Sequence, residues 1–145
     1  MAPLIWDVTI ASGAGNWSQF LLRNQSLIHD NSHNLGENLA FATFSPARPI
    51  CSNVSQSSCL RCSKIVEAWY SEVTNYNFTQ GMPIDPNKQW LHFTQVVWRS
   101  SFELGVGLAS GGNSLYIVAR YSPRGNVGGP DNFLREVAPL MPTGL

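Results

Sequence analysis

Two apolar segments, 104–109 and 115–121, flank the turn Gly111-Gly112-Asn113. Glycine and asparagine tolerate positive φ, so such a turn between two strand-like runs predicts a β-hairpin. An antiparallel pair late in the chain must bury its apolar side against another layer. With 145 residues, the chain has room for one domain, taken as residues 1–145, and little for a second.

Helical periodicity supplies that second layer. Residues 63–77 carry Ile65, Val66, Trp69, Tyr70, Val73 and Tyr76 on one stripe, with Ser63 able to cap the start. Residues 4–28 repeat apolar side chains near helical spacing, although Gly13 and Gly15 weaken the middle. Glu37 to Thr43 reads as a short strand, and residues 92–98 as a third strand candidate beside the hairpin. Segments 29–36, 45–62 and 79–90 read as loops, and the Pro- and Gly-rich tail 123–145 shows no element. Helices early and antiparallel strands late make an α+β layered domain.

Charge narrows the function classes. Nine basic and nine acidic residues cancel, so there is no electrostatic footprint for a nucleic-acid partner and no basic excess for anionic membranes. No apolar run approaches a transmembrane segment, and Met1 to Asp7 is not a signal peptide. Charged residues make up only 12 % of the chain, against about 25 % in an average domain. Sparse charge together with four Asn-x-Ser/Thr sequons, at Asn16, Asn24, Asn53 and Asn77, points to an extracellular glycoprotein. Cys51, Cys59 and Cys62 lie in one loop. One disulfide with one remaining thiol is the simplest arithmetic, and a structural staple is favoured over metal or redox chemistry. Trp6, Trp17, Trp69, Trp90 and Trp98 are read as core residues.

Four stretches together resemble the CAP superfamily of cysteine-rich secretory proteins, antigen 5 proteins and pathogenesis-related proteins of family 1. They are Leu35-Gly36-Glu37-Asn38-Leu39-Ala40, Val66-Glu67-Ala68-Trp69-Tyr70-Ser71-Glu72, His92-Phe93-Thr94-Gln95-Val96-Val97-Trp98 and Tyr121-Ser122-Pro123-Arg124-Gly125-Asn126-Val127. Their order and spacing also agree with the family. Glu103 to Leu108 and the region after Arg120 are similar to the Golgi-associated plant-pathogenesis-related subgroup. The resemblance runs from about Pro3 to Val137 and implies a three-layer α-β-α sandwich of the CAP (SCP) domain. Met1 to Asp7 resembles the segment just after the family's first helix, so the expectation is a domain that lacks that helix through truncation or an alternative start. Ala119 stands where the family usually has cysteine, so one family disulfide cannot form. No cysteine-rich C-terminal extension supports channel blocking.

The resemblance also implies a cleft with two histidines and two glutamates, here His29, Glu37, Glu72 and His92. His33 is an alternative to His29, because the segment before Gly36 varies in length. Neutral imidazoles suit a borderline metal such as Zn2+, with His29 and His92 as ligands, and nearby carboxylates can orient the rings or activate water. The favoured reading is a secreted, non-catalytic binding or defence-type module with sterol or lipid as a further ligand. One alternative is a metal-dependent peptidase using Glu37 and Glu72. Another is an interaction protein with a vestigial cleft, a protein partner or a homodimer. No Gly-x-Ser-x-Gly elbow or phosphate loop is present.

Overall fold

The computed structural model describes residues 3–43 and 62–139. A four-stranded sheet is ordered β1 (Ile5–Trp6), β5 (Glu103–Gly111), β6 (Ser114–Ser122), β2 (Gly36–Thr43). The β5–β6 hairpin forms as expected, with Gly112 at φ +56° in its turn. β2 pairs antiparallel with β6, whereas β1 adds a short parallel edge to β5. Helix α1 (Val8–Asn24) covers one face of the sheet, and α2 (Cys62–Ser71) and α3 (Leu91–Val96) pack on the other side. This is the expected α-β-α sandwich.

Strand β6 is buried on both sides, and its alternation divides the core. Tyr116 and Val118 join Ala14, Leu21 and Leu39 beneath α1. Leu115, Ile117, Ala119 and Tyr121 join Trp69 on the opposite face. A third, aromatic cluster of Tyr76, Phe93, Trp98 and Phe133 links α3 to α4 (Pro130–Glu136). Trp69 and Trp98 are core residues as expected, but Trp6 on the edge strand is 56 % exposed.

The glycines of β5 set the spacing between α1 and the sheet. A Cβ on Gly105 would lie 2.2 Å from the Ala11 amide nitrogen, and one on Gly107 would lie 2.2 Å from the Ala14 carbonyl carbon. The helix therefore sits directly on the strand backbone.

Several boundaries differ from the sequence expectation. The helix expected over 4–28 is split by Asp7, whose carboxylate accepts the Ile10 N–H at 2.8 Å and caps α1. Gln25, at φ 48°, ends it in the left-handed region. The helix expected over 63–77 begins at Cys62, so Ser63 is not its cap; it tightens to a 3-10 turn over Glu72–Asn75 and ends before β3 (Tyr76–Asn77). β3 pairs with β4 (Met82–Pro83) inside the expected loop 79–90. The tail holds α4, whose start is marked by Gly129 and a first-turn proline, a signal hidden by reading Pro and Gly only as breakers.

The largest correction concerns residues 92–98, which are helical through Val96 rather than a strand. His92, Thr94, Val96 and Trp98 therefore do not share a strand face. The β-branched and aromatic composition favours a strand locally. The helix is instead held from outside, because Glu72 Oε2 accepts the His92 and Phe93 amide protons at 3.1 and 3.3 Å. Those are first-turn N–H groups that Trp90, at the cap position, leaves without a side-chain acceptor.

Gly107→Val is expected to destabilise the fold by at least about 1–3 kcal/mol, the usual cost of overpacking, because its clash is with backbone. Urea denaturation of the purified variant checks this.

Candidate functional site

The site is built around Arg120. This side chain is only 5 % exposed and lies on β6 between two cross-strand neighbours, Gly105 and Glu37. Its Nε donates to Glu37 Oε2 at 3.0 Å, and its Nη2 donates to Asp30 Oδ2 at 2.7 Å. A Cβ at Gly13 would stand 3.1 Å from Arg120 Nη1, so the glycine that weakens α1 in sequence terms leaves room for the guanidinium.

Glu37 is fully engaged. Its Oε1 lies 2.8 Å from His29 Nδ1 and accepts the Asp30 amide proton at 3.1 Å. Burial pushes its pKa up, but the His29 contact, the Asp30 amide and Arg120 outweigh burial and hold it below the usual carboxylate range. Asp30 behaves alike: burial raises its pKa, and Ser32 and Arg120 bring it below the ordinary value.

The second histidine pair comes from the 3-10 turn after α2 and from α3. Glu72 Oε1 lies 2.7 Å from His92 Nδ1, so the carboxylate that caps α3 also fixes the ring. The Trp69 indole stacks nearly parallel to His92, with ring centroids 6.1 Å apart. Asn38, buried on β2, donates to the His92 carbonyl at 3.1 Å and ties α3 to the sheet.

His29, Glu37 and His92 line one cleft of about 320 Å³, together with Asp30, His33 and Arg124. Glu72 stands behind His92. In both pairs a carboxylate oxygen faces Nδ1; with Nδ1 as the proton donor, the Nε2 lone pair is left available. His33 is arranged differently. Its Nδ1 accepts the Leu35 N–H at 3.1 Å, so Nε2 carries the proton. That Nε2 is buried without a hydrogen-bond partner, 3.7 Å from Asp30 Oδ2 and 3.6 Å from Glu37 Oε2. Among the described residues, no group of three or more histidine, cysteine, aspartate or glutamate side chains is placed to enclose a metal ion. Such a donor set does not fit a closed four-ligand zinc site.

The family model described as the cysteine-rich secretory protein family, CAP, matches residues 1–121. The chain belongs to the CAP family. It is 36 % identical over 106 residues to the human Golgi-associated plant pathogenesis-related protein 1, covering 72 % of this chain and 57 % of that protein. It is 30 % identical to a pathogenesis-related protein of PR-1 type from Sambucus nigra, covering 89 % of this chain and 70 % of the relative. The chain spans between 57 % and 64 % of the length of the human protein and the Polybia venom allergens it matches. Among solved structures, Schistosoma mansoni venom allergen-like protein 4 superposes with a TM-score of 0.63 over 88 % of this chain and 72 % of that one, at 21 % identity. NaASP2, solved with Zn2+, superposes with a TM-score of 0.63 over 87 % of this chain and 63 % of that one, at 22 % identity. At such identities these two structures show the fold alone.

The cleft draws on residues that the sequence patterns do not single out. Arg120 is legible only as a lone cation inside the apolar run Leu115–Tyr121. Asp30, next to His29, carries no signal beyond its neighbour. Gln95 lies inside the 92–98 motif, where nothing in the pattern gives it a role. It is 1 % exposed, accepts the Gly125 N–H at 2.9 Å and donates to Ser101 at 3.2 Å, so it binds the 123–126 segment to α3. A Cβ on Gly36 would lie 2.1 Å from Gln95 Oε1, which explains the glycine beside Glu37. Cys51, Cys59 and Asn53 lie outside the described residues, and Cys62 opens α2. No described helix is long and apolar enough to cross a membrane.

Replacing Arg120 with Met leaves two partly or fully buried carboxylates without their cation. The expected loss is about 3–5 kcal/mol, the usual cost of removing one partner from a buried pair. Because Glu37 and Asp30 are lowered in the folded state, their contribution is present above the ordinary values of 4.5 and 3.8 and is lost as pH falls through the lowered ones. Thermal denaturation from pH 7 to 3 is expected to show falling stability below about pH 4.5 in the parent, and a flatter profile in Arg120→Met.

Proposed function

We propose that this CAP domain is a secreted, non-catalytic binding module whose cleft takes a divalent metal such as Zn2+ between His29 and His92. The observation that carries the reading is the pair of Nδ1–carboxylate contacts, 2.8 Å to Glu37 and 2.7 Å to Glu72. Each fixes its ring and leaves Nε2 as the available donor atom of a residue lining the cleft. His29 is the better ligand of the two N-terminal candidates, because its Nδ1 is held by Glu37, whereas His33 spends its own Nδ1 on a backbone amide.

Binding is favoured over catalysis by the state of the carboxylates. Glu37 is tied to His29, Arg120 and a backbone amide; Glu72 is tied to His92 and two backbone amides. A general base must reach the proton it removes, and these carboxylates are already occupied as ring-orienting acceptors. A hydrolytic zinc centre also uses three protein ligands with one open position, one more than the two imidazoles of this cleft.

A second ligand reading rests on a separate apolar groove of about 250 Å³ between β4 and α4, lined by Met82, Pro83, Trp90, Leu91 and Phe133 among others. It is smaller than the roughly 300–1,000 Å³ of most small-molecule sites. Part of one lipid, rather than a whole sterol, matches that size.

Isothermal titration with Zn2+ at neutral pH tests the metal reading. His92→Ala is expected to abolish binding, and Glu72→Gln to weaken it about 10–100-fold, the usual effect of losing a carboxylate behind a ligating histidine. His33→Ala is expected to bind nearly as the parent does. Equal affinity in the parent and His92→Ala would remove the reading.

A further inference from the structure

We propose that Asn77 is an N-glycosylated residue of this chain, and that Asn16 and Asn24 are not, although all three head a sequon. The inference rests on the chain entering the secretory route and is independent of the cleft.

Asn77, Phe78 and Thr79 lie at the tip of the β3–β4 hairpin. Asn77 Oδ1 accepts both the Thr79 N–H at 2.9 Å and the Thr79 hydroxyl at 2.7 Å. This is an Asx turn, which forms from neighbouring residues and needs no tertiary contact. The turn closes through Gly81, at φ +64°, whose N–H reaches the Asn77 carbonyl at 2.9 Å. The threonine hydroxyl thus sits on the carboxamide oxygen, where it polarises the amide whose nitrogen must react. Nδ2 has one exposed side-chain partner, Gln80 Oε1 at 3.2 Å, which can swing away at little cost. Thr79 is exposed, and Met82, the cross-strand partner of Asn77, is 48 % exposed. A glycan there has solvent to occupy and covers an apolar side chain.

The other described sequons are built against the reaction. Asn16 and Ser18 lie in the middle of α1, where residues two apart do not face each other. Ser18 is fully buried, and its hydroxyl donates to the Gly15 carbonyl at 2.8 Å. Asn24 lies in the last turn of α1, and its Nδ2 donates to the Phe20 carbonyl one turn back at 2.8 Å.

The co-reactant is a polyprenyl-diphosphate-linked oligosaccharide, presented by a transferase. Asn77 Nδ2 bonds to C1 of the reducing sugar as the C1–O bond to diphosphate breaks. The polyprenyl diphosphate leaves with that electron pair, and one amide proton passes to a base of the transferase. No oxidation or reduction occurs.

The full chain, secreted from eukaryotic cells behind a heterologous signal peptide, is digested with peptide N-glycosidase in 18O water and mapped by mass spectrometry. The supplied signal makes the result independent of the native route. Asn77 is expected to convert to labelled aspartate in most molecules, and Asn16 and Asn24 in few. Thr79→Ala is expected to abolish labelling at 77, and Thr79→Ser, which keeps a hydroxyl, to retain it. An unlabelled Asn77, or Asn16 or Asn24 labelled as fully as Asn77, overturns the proposal. Loss of Zn2+ binding in a glycosylated protein would instead count against the cleft reading alone.

Discussion

The buried guanidinium of Arg120 is the interaction on which the cleft depends. A charge on a central strand is costly unless its partners are equally well placed. Here Glu37 is its cross-strand neighbour and Asp30 reaches in from the preceding loop. That one cation fixes β2, the 29–35 loop and, through Glu37, the His29 ring. Gly13, above it on α1, leaves it room, and Gly105, its cross-strand neighbour on β5, lets α1 lie directly on the strand backbone. The close seating of α1 on the sheet and the electrostatics of the cleft are thus one arrangement.

The opposite wall of the cleft uses the same logic with a different device. Glu72 sits where α2 tightens into a 3-10 turn, and that turn aims its carboxylate at the start of α3. One side chain therefore stabilises a six-residue helix that would be marginal alone and orients the histidine on it. Gln95 and Asn126 complete the junction by joining α3 to the segment after β6. Both histidines are consequently held by groups that also hold the fold together.

Much of the layering is readable from residue patterns. The hairpin, the strand from Glu37, and the apolar stripe from Ile65 are visible because local periodicity and turn chemistry coincide there. Residues 92–98 mislead for the opposite reason. Thr94, Val96, Val97 and Trp98 prefer extended backbone, yet Thr94 and Val96 lie in a helix whose start at His92 depends on a carboxylate twenty residues earlier in the chain. The tail misleads because Pro130 reads as a breaker, whereas a proline in the first turn of a helix loses no hydrogen bond. Glu37, Glu72 and His92 are brought to notice by the motifs that contain them, and His29 only by the resemblance, with His33 as its alternative. Nothing in their spacing shows that His29 meets Glu37 or that His92 meets Glu72.

By itself, then, the sequence determined the family, the α+β layering and the residue types available for the cleft. These come from periodicity, turn residues and contiguous motifs, all of which act over a few neighbours. Only the tertiary structure decided which histidine nitrogen each glutamate holds, that His33 turns its Nδ1 to a backbone amide, and that Arg120 lies beneath the cleft. Those outcomes join residues as far apart as Asp30 and Arg120, and depend on strand register and on how closely α1 approaches β5. Register and close approach are set by the packed whole, so no local stretch of sequence contains them.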